Sequence, residues 1–185
     1  HINPEEVGNT RNIVVSDQSG KSNIISRLKS IKIEIEEDDP KIKKLLDEVK
    51  DREFIGYSYD GADASFELLA RRIIGEIPRY ISINEYDVSV KKNKSGEIVS
   101  SAKAHLEVDG EKIVCEGEGN GPVNALDNAI RQNVDRLTKY SKYLKDLKLV
   151  DYKVRILNTG TEAVTRVSIE STDSKGKNWF TIGVS

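Results

Sequence analysis

The sequence has very little of several residue types, and each scarcity narrows the class of protein. The 185 residues include one cysteine, two histidines and no methionine. A single cysteine, Cys115, excludes an internal disulfide and favours a reducing, cytoplasmic compartment. His1 and His105 are too few for a histidine-based metal centre, and no cluster has the spacing of metal ligands. Because the sequence has no methionine at all, we expect it to be a fragment of a longer protein.

Charge and hydropathy exclude two further classes. The 29 basic and 31 acidic residues give a formal net charge of −2, and there is no basic tract. Nucleic acid and anionic membrane surfaces are therefore not expected as main partners. No apolar run approaches the ~18 residues of a membrane-spanning helix, and no signal-peptide pattern opens the chain. The length suits one domain, or one domain with an appendage.

Residues 1–77 are predicted to form short helices with separate, narrow apolar faces, which is typical of linkers between larger domains. Acidic and proline residues mark helix starts, and glycine marks a helix end. Coil is predicted at 1–9 and a short strand at 13–15, followed by a first helix with the apolar residues Ile24, Ile25 and Leu28. The second predicted helix starts at Pro40, after Asp38 and Asp39, and its apolar residues are Ile42, Leu45, Leu46 and Val49. The third is capped by Asp60 or Asp63 and ends near Gly75, and its apolar residues are Ala62, Phe66, Leu69, Ala70 and Ile73.

From Tyr80 onward the apolar period changes to two, and a three-strand pattern occurs twice. The first copy has turns at 93–96 and Asp109-Gly110, a hairpin signal, and then a helix starting at Pro122 with Val123, Leu126, Ile130, Val134 and Leu137. The second copy has turns at 158–161 and 173–176, and residues 115–119 align with 181–185. We therefore expect an α+β fold: a helical linker at 1–77, then a domain at 78–185 of two βββα-type units. The helix of the second unit would begin after Ser185, so we expect the natural protein to continue.

The residues that most often carry catalysis have ordinary structural explanations here. His105 lies in the polar register of its strand and is predicted to be exposed, whereas Cys115 lies in the apolar register and is predicted to be core. The segment Ser19-Gly20-Lys21-Ser22 resembles the end of a phosphate loop, but Val15 stands where that motif needs its first glycine. The fragment is therefore not expected to be an enzyme by itself.

The segment 119–125, Gly-Asn-Gly-Pro-Val-Asn-Ala, leads into a helix and is more informative. Its two glycines permit close backbone approach, and a helix N-terminus offers unpaired N–H groups and the positive end of the dipole. A small carboxylate could bind there. The alternative is that the glycines only make the turn from strand to helix. Tyr152, Val154 and Ile156 share a strand face and are expected to be core residues, although a buried Tyr152 phenol would need a hydrogen-bond partner.

Ordered segments along nearly the whole chain resemble the isopropylmalate synthase family, and within it most closely the citramalate synthases. The segments that resemble the regulatory domain of that family are Gly119–Asp127, Leu149–Arg155 and Trp179–Ser185. Those that resemble its linker subdomains are His1–Asn9, Val14–Asn23 and Ala62–Leu69. The glycine segment alone would be a weak signal, but the ordered set is specific.

The resemblance implies a parent acyltransferase that condenses acetyl-CoA with a 2-oxo acid on an N-terminal, divalent-metal-dependent TIM barrel. This fragment lacks the barrel, so no cofactor is expected within it. The family's C-terminal domain has two βββα units, forms a homodimer and binds the pathway end product as a feedback inhibitor. Citramalate synthases belong to isoleucine biosynthesis and isopropylmalate synthases to leucine biosynthesis. The second helix, absent from this sequence, helps to close the inhibitor site in the family.

The resemblance also assigns the residues of an amino-acid site near the dimer interface. The polar end would be formed by the glycine loop and the first helical turn, and the aliphatic end by two strands of the second repeat. The assigned residues are Gly119, Asn120, Gly121, Pro122, Val123, Asn124, Asp127 and Asn128 at the polar end, and Leu149, Tyr152, Ile156, Ala163 and Thr165 at the aliphatic end. We expect isoleucine as the effector; the alternatives are leucine sensing and a dimerisation module without a ligand.

Overall fold

The computed structural model describes residues 20–133, 140–160 and 162–185. The described elements are α1 (Lys21–Ser30), α2 (Pro40–Phe54), α3 (Asp63–Ile74), β1 (Ile81–Lys92), β2 (Ile98–Val108), β3 (Glu111–Gly119), α4 (Pro122–Gln132), α5 (Ser141–Asp146), β4 (Lys148–Ile156), β5 (Thr165–Thr172) and β6 (Asn178–Val184). Two three-stranded sheets, β1-β2-β3 and β4-β5-β6, confirm the expected α+β class and the repeated strand triplet. The predicted coil at 1–9, the strand at 13–15 and His1 lie outside the described residues.

The chain divides into two compact units. We call His1–Ile77 together with Leu149–Ser185 the split unit, and Pro78–Lys148 the central unit. The helices α1–α3 and the second sheet thus belong to the same unit. The predicted division at residue 77 coincides with the start of the central unit, and the assignment of 78–185 to one regulatory domain stays a prediction.

The helices of the split unit enclose an apolar core. Asp39 caps α2, since its carboxylate accepts a hydrogen bond from the Lys41 N–H at 2.8 Å, and Pro40 occupies the first turn as expected. Gly75 ends α3 in the left-handed conformation, with φ of 89°. The buried side chains of this core include Ile24, Leu28, Ile33, Ile42, Leu45, Val49, Tyr59, Phe66 and Leu69.

The predicted N-cap of α3 is wrong. Ala62 occupies the cap position without a side-chain hydrogen bond, and Asp63 is the first helical residue instead of the cap. The Asp63 carboxylate accepts a hydrogen bond from the Arg27 guanidinium at 2.6 Å, so it is engaged with α1. A negative charge in the first turn still interacts favourably with the helix dipole.

Arg27 is an almost fully buried cation that joins α1 to the start of α3. Its Nη2 donates to the Tyr59 carbonyl at 2.9 Å, and the guanidinium carbon lies 4.6 Å from the centroid of the Phe66 ring. Burial lowers the pKa of Arg27, while Asp63 opposes the shift. The cation is held by charge-assisted hydrogen bonds and by the aromatic face.

The buried phenol of Tyr59 makes the stability of the split unit depend on pH. Burial raises its pKa to about 12, against an ordinary value of 10, with nearby Arg52 opposing the shift. The folded state then holds a proton that the unfolded state releases above pH ~10, so stability is complete below pH ~10 and falls as pH rises towards ~12. The loss reaches about 3 kcal/mol at most. Urea unfolding at pH 9 to 12 should show this loss in the wild type, and Tyr59→Phe should remove it; equal slopes for both would contradict the assignment.

The central unit is an antiparallel sheet covered on one face by α4. Asp109 and Gly110 form the predicted hairpin turn, with φ of 52° and 86°. Ala104 pairs with Cys115, and both are fully buried, as predicted for Cys115. His105 is half-buried instead of exposed, because Glu85 and Val114 flank it on the neighbouring strands.

The buried face of α4 is made of alanines. Ala125 and Ala129 are fully buried, whereas Val123 is 54% exposed, so the predicted stripe led by Val123 is wrong at its start. Val134 and Leu137 lie outside the described residues. A Cβ added at Gly117 would come within 2.4 Å of the Ala129 nitrogen, so glycine in β3 and alanine in α4 allow a very close helix–sheet approach. A short helix, α5, follows where no helix was predicted.

The second sheet packs on α3 through β6, and in the described part of the chain β4 is its opposite edge strand. The Ile182 N–H in β6 donates to the Ser65 hydroxyl of α3 at 2.9 Å. Charged and apolar residues alternate along β4, and Lys153 pairs with Asp151 at 2.5 Å. The reading of Tyr152, Val154 and Ile156 as core is wrong for this chain, since they are 39%, 53% and 66% exposed.

Candidate functional site

The glycine loop before α4 presents a helix N-terminus without a side-chain cap. Gly121 is the cap residue, with an extended backbone, and Pro122 follows in the first turn. The Ala125 N–H bonds the Gly121 carbonyl at 2.8 Å, which closes the first helical turn. Because no side chain caps the helix, N–H groups of its first turn are available to an anionic group.

Asn124 and Asn128, two of the three asparagines predicted at the polar end, hold the loop in place. The Asn124 carbonyl oxygen accepts the Asn120 N–H at 3.1 Å, and the Asn128 amide donates to the Glu118 carbonyl at 2.8 Å. The Asn128 amide also lies 3.5 Å from the Asn124 oxygen. These bonds fasten α4 to the end of β3, so the loop is preorganised.

Asp127 lies one turn further along α4 and is paired within the helix. Its carboxylate accepts a hydrogen bond from the Arg131 Nε at 2.7 Å, and both side chains are partly exposed. Arg131 also donates to the Leu147 carbonyl at 2.9 Å, which links α4 to the segment after α5. The Asp127 carboxylate could therefore bind an ammonium group only while it also accepts the hydrogen bond from Arg131.

The residues predicted at the aliphatic end lie on β4, on β5 and in the connection between them. Tyr152, Ile156 and Leu149 are exposed by 39%, 66% and 54%, and Ala163 and Thr165 are half-buried. Strand alternation places Tyr152 and Ile156 on one face and Leu149 on the other. The structure therefore groups Tyr152 with Ile156 but separates Leu149 from them.

The faces of the second sheet can be identified from what contacts Gly56. A Cβ added there would meet the side chains of Leu157, Val184 and Val164, so these three lie on one face, near the connection between α2 and α3. Ile156, the neighbour of Leu157, then lies on the opposite face. Thr165, the neighbour of Val164, lies on that opposite face as well, so the predicted wall residues Ile156 and Thr165 share it.

The predicted residues fall in both units. Gly119, Asn120, Gly121, Pro122, Val123, Asn124, Asp127 and Asn128 belong to the central unit, and Leu149, Tyr152, Ile156, Ala163 and Thr165 to the split unit. The assignment of all thirteen to one site stays a prediction. A groove of about 600 Å³ in the central unit, lined by Asp87, Ser101, Lys103, Glu116, Glu118 and Gln132 among others, contains none of them.

Sequence reasoning missed the residues that position the loop. Gly117 and Gly119 alternate along β3, and Ala125 and Ala129 are spaced by four in α4. Two small residues two apart in a strand, followed by two alanines four apart in a helix, are the signal that could have indicated this close packing. In the parts of the chain that the structure describes, no three His, Cys, Asp or Glu side chains could hold a metal ion. No helix in the described residues is long and apolar enough to cross a membrane.

Comparison with known proteins identifies the family. Residues 60–185, from just before α3 to the last residue, match the family described as the LeuA allosteric (dimerisation) domain. The chain belongs to this family. Membership of the LeuA allosteric domain family confirms the resemblance drawn from the glycine loop and the second repeat. It identifies residues 60–185 as a domain of the allosteric and dimerisation class.

Several curated relatives align with the whole chain. It is 45% identical over 188 residues to an (R)-citramalate synthase of Aquifex aeolicus and 41% identical over 188 residues to that of Geobacter sulfurreducens, covering 100% of this chain and 35% of each relative. An (R)-citramalate synthase of Sulfolobus acidocaldarius is 37% identical, with 33% of its length covered. The chain thus spans about a third of the length of the curated relatives it matches.

Proposed function

We propose that this chain is the regulatory region of a citramalate synthase-like acyltransferase and binds isoleucine as a feedback inhibitor near a homodimer interface. The observation that carries the proposal is that (R)-citramalate synthases align with the entire chain, of which residues 60–185 match the allosteric domain family. The parent would condense acetyl-CoA with a 2-oxo acid on an N-terminal TIM barrel with a divalent metal, in a cytoplasmic setting. Catalysis would belong to that barrel, not to this region.

The chemistry of the candidate residues supports an amino-acid effector. The uncapped N-terminus of α4, preorganised by Asn124 and Asn128, suits a carboxylate. Tyr152 and Ile156 suit a branched alkyl group, because they place an aromatic ring and an aliphatic side chain on the same face of β4.

Selectivity between isoleucine and leucine would then be a matter of packing. The two amino acids are isomers that differ in the position of one branch, and discrimination at the level of a single methylene is about 10–200-fold. Leucine sensing is therefore the alternative within the same class. A dimerisation module without a ligand is the alternative from another class, and the exposed aliphatic face of β4 favours it equally, since such faces mark protein interfaces as well as ligand sites.

Calorimetric titration of the natural protein that contains this chain separates these functions. We expect isoleucine to bind most tightly among isoleucine, leucine and valine. Tightest binding of leucine would indicate the sibling specificity, and no heat from any of the three would indicate a dimerisation module. Sedimentation of the same samples should show a dimer.

Removing the aromatic side chain of Tyr152 should weaken isoleucine binding. Tyr152→Ala deletes the whole hydroxyphenyl group from this face of β4. Because a single methylene is already worth about 10-fold or more, we expect binding to weaken by at least ~10-fold, with a matching loss of inhibition. Tyr143→Ala, in α5, removes an equally large and more exposed side chain and should change neither. Unchanged affinity in Tyr152→Ala would show that the pocket lies elsewhere.

A further inference from the structure

Arg166 joins the second sheet to the connection between α2 and α3. Its Nε donates to the Gly56 carbonyl at 2.6 Å, and its Nη2 lies 3.5 Å from the Tyr57 carbonyl, across 110 residues of sequence. Both acceptors belong to the turn that follows α2 and precedes the buried Tyr59. The half-buried guanidinium thus fixes the position of this turn relative to β5.

Gly56 makes the same junction tight. Its φ of 112° lies in the region that side chains rarely adopt, and a Cβ there would come within 2.5 Å of the Leu157 side chain. A displacement of the Leu157 side chain would therefore push directly on the backbone of the turn at Gly56. The bond from the Ile182 N–H to the Ser65 hydroxyl joins the same sheet to α3 at a second point, independent of Arg166.

Strand alternation relates this junction to the proposed site. Ile156 and Thr165, predicted wall residues, lie on one face of the second sheet, and their successors Leu157 and Arg166 lie on the other face and contact the turn. A ligand that shifts the backbone at Ile156 or Thr165 necessarily shifts Leu157 or Arg166. Only one peptide bond separates each wall residue from its contact with the helices.

We infer that Arg166 is a positioning residue for regulation: it transmits occupancy of the wall formed by Tyr152, Ile156 and Thr165 to the turn at Gly56 and Tyr57, and through it to α3. The inference rests on the proposed function, because it needs an effector at that wall. Arg166 itself does not contact the effector, since its side chain lies on the opposite face.

Hydrogen exchange with and without isoleucine tests the inference on the natural protein that contains this chain. In the wild type, isoleucine should slow amide exchange at residues 55–58, where the Gly56 and Tyr57 N–H groups bond to Glu53 and Arg52. Allosteric coupling factors are about 5–150-fold, so we expect at least ~5-fold slowing. Arg166→Ala should keep isoleucine affinity within about threefold of the wild type and lose the slowing, together with inhibition of activity.

Two further variants keep the test decisive. Arg155→Ala removes an exposed arginine of β4 and should retain both binding and slowing. If Arg166→Ala does not fold, Arg166→Lys serves instead: it keeps a charge but not the forked geometry, and should reduce the slowing without changing affinity. If the slowing survives in the Arg166 variant, the inference is overturned while the proposed function stands. A loss of isoleucine affinity in that variant has the same consequence, because it would place Arg166 in the binding site. Absence of any isoleucine binding in the wild type overturns the proposed function as well.

Discussion

Replacing Phe66 with alanine is expected to destabilise the split unit by about 3–5 kcal/mol, the usual cost of deleting a fully buried aromatic ring. Phe66 is completely buried in α3 and makes an edge-to-face contact with Tyr59, with ring centroids 6.1 Å apart. Its loss would leave a cavity and remove the aromatic face beneath the Arg27 guanidinium. Urea unfolding followed by the fluorescence of Trp179, the single tryptophan, measures this effect in the split unit.

The same helical region offers a matched control. Phe54, the last residue of α2, is 92% exposed, so Phe54→Ala should change stability by no more than about 0.5 kcal/mol. Two identical substitutions would then differ only in burial. Equal stability losses would show that Phe54 is covered in solution or that Phe66 is not part of the core.

Adding one methyl group at Gly117 is expected to destabilise the central unit by about 3 kcal/mol, the upper end of the usual cost of overpacking. The new Cβ would meet backbone atoms of Asn128 and Ala129 at 2.4–2.9 Å. Backbone atoms of a helix cannot turn aside as a side-chain end can, so α4 must move off the sheet. Cys115, the only cysteine and fully buried beneath α4, should become reactive towards a thiol reagent at lower urea concentration.

The internal repeat supplies the control for this variant. Gly183 occupies the position in β6 that corresponds to Gly117 in β3, and a Cβ added at Gly183 meets nothing within 4 Å. Gly183→Ala should therefore leave the Cys115 reactivity and the Trp179 transition unchanged. Equal effects of the two variants would contradict the close packing of α4 on β3.

The sequence-based predictions that succeeded depend on short-range chemistry. Asp39 before Pro40 marks a helix start, and Asp109-Gly110 marks a hairpin, because each signal acts within a few residues. The repeated three-strand pattern was visible for the same reason, since alternation of apolar residues reports the two faces of each strand. These signals were sufficient for the α+β class and for the glycine loop at the start of α4.

The predictions that failed depend on partners distant in the sequence. Ala62 occupies the cap position of α3, whereas the predicted Asp63 is the first helical residue and binds Arg27, which is 36 residues away. Similarly, the fully buried residues of α4 are Ala125 and Ala129, which lie against the glycines of β3, whereas the predicted Leu126 and Ile130 are partly buried against the same core. The contact of Arg166 with Gly56 has no local signal, because neither residue belongs to a motif and they meet only in the fold.

The charges along β4 have a consequence for the solubility of the chain. Among the residues that the structure describes, β4 is an edge strand of its sheet, and an apolar edge strand is a template for intermolecular β-pairing. Asp151, Lys153 and Arg155 interrupt the aliphatic residues at every second position, as gatekeeper residues do in edge strands. Neutralising Lys153 and Arg155 together would leave residues 152–156 of this strand without a charge, so we expect such a variant to aggregate more readily through intermolecular β-pairing.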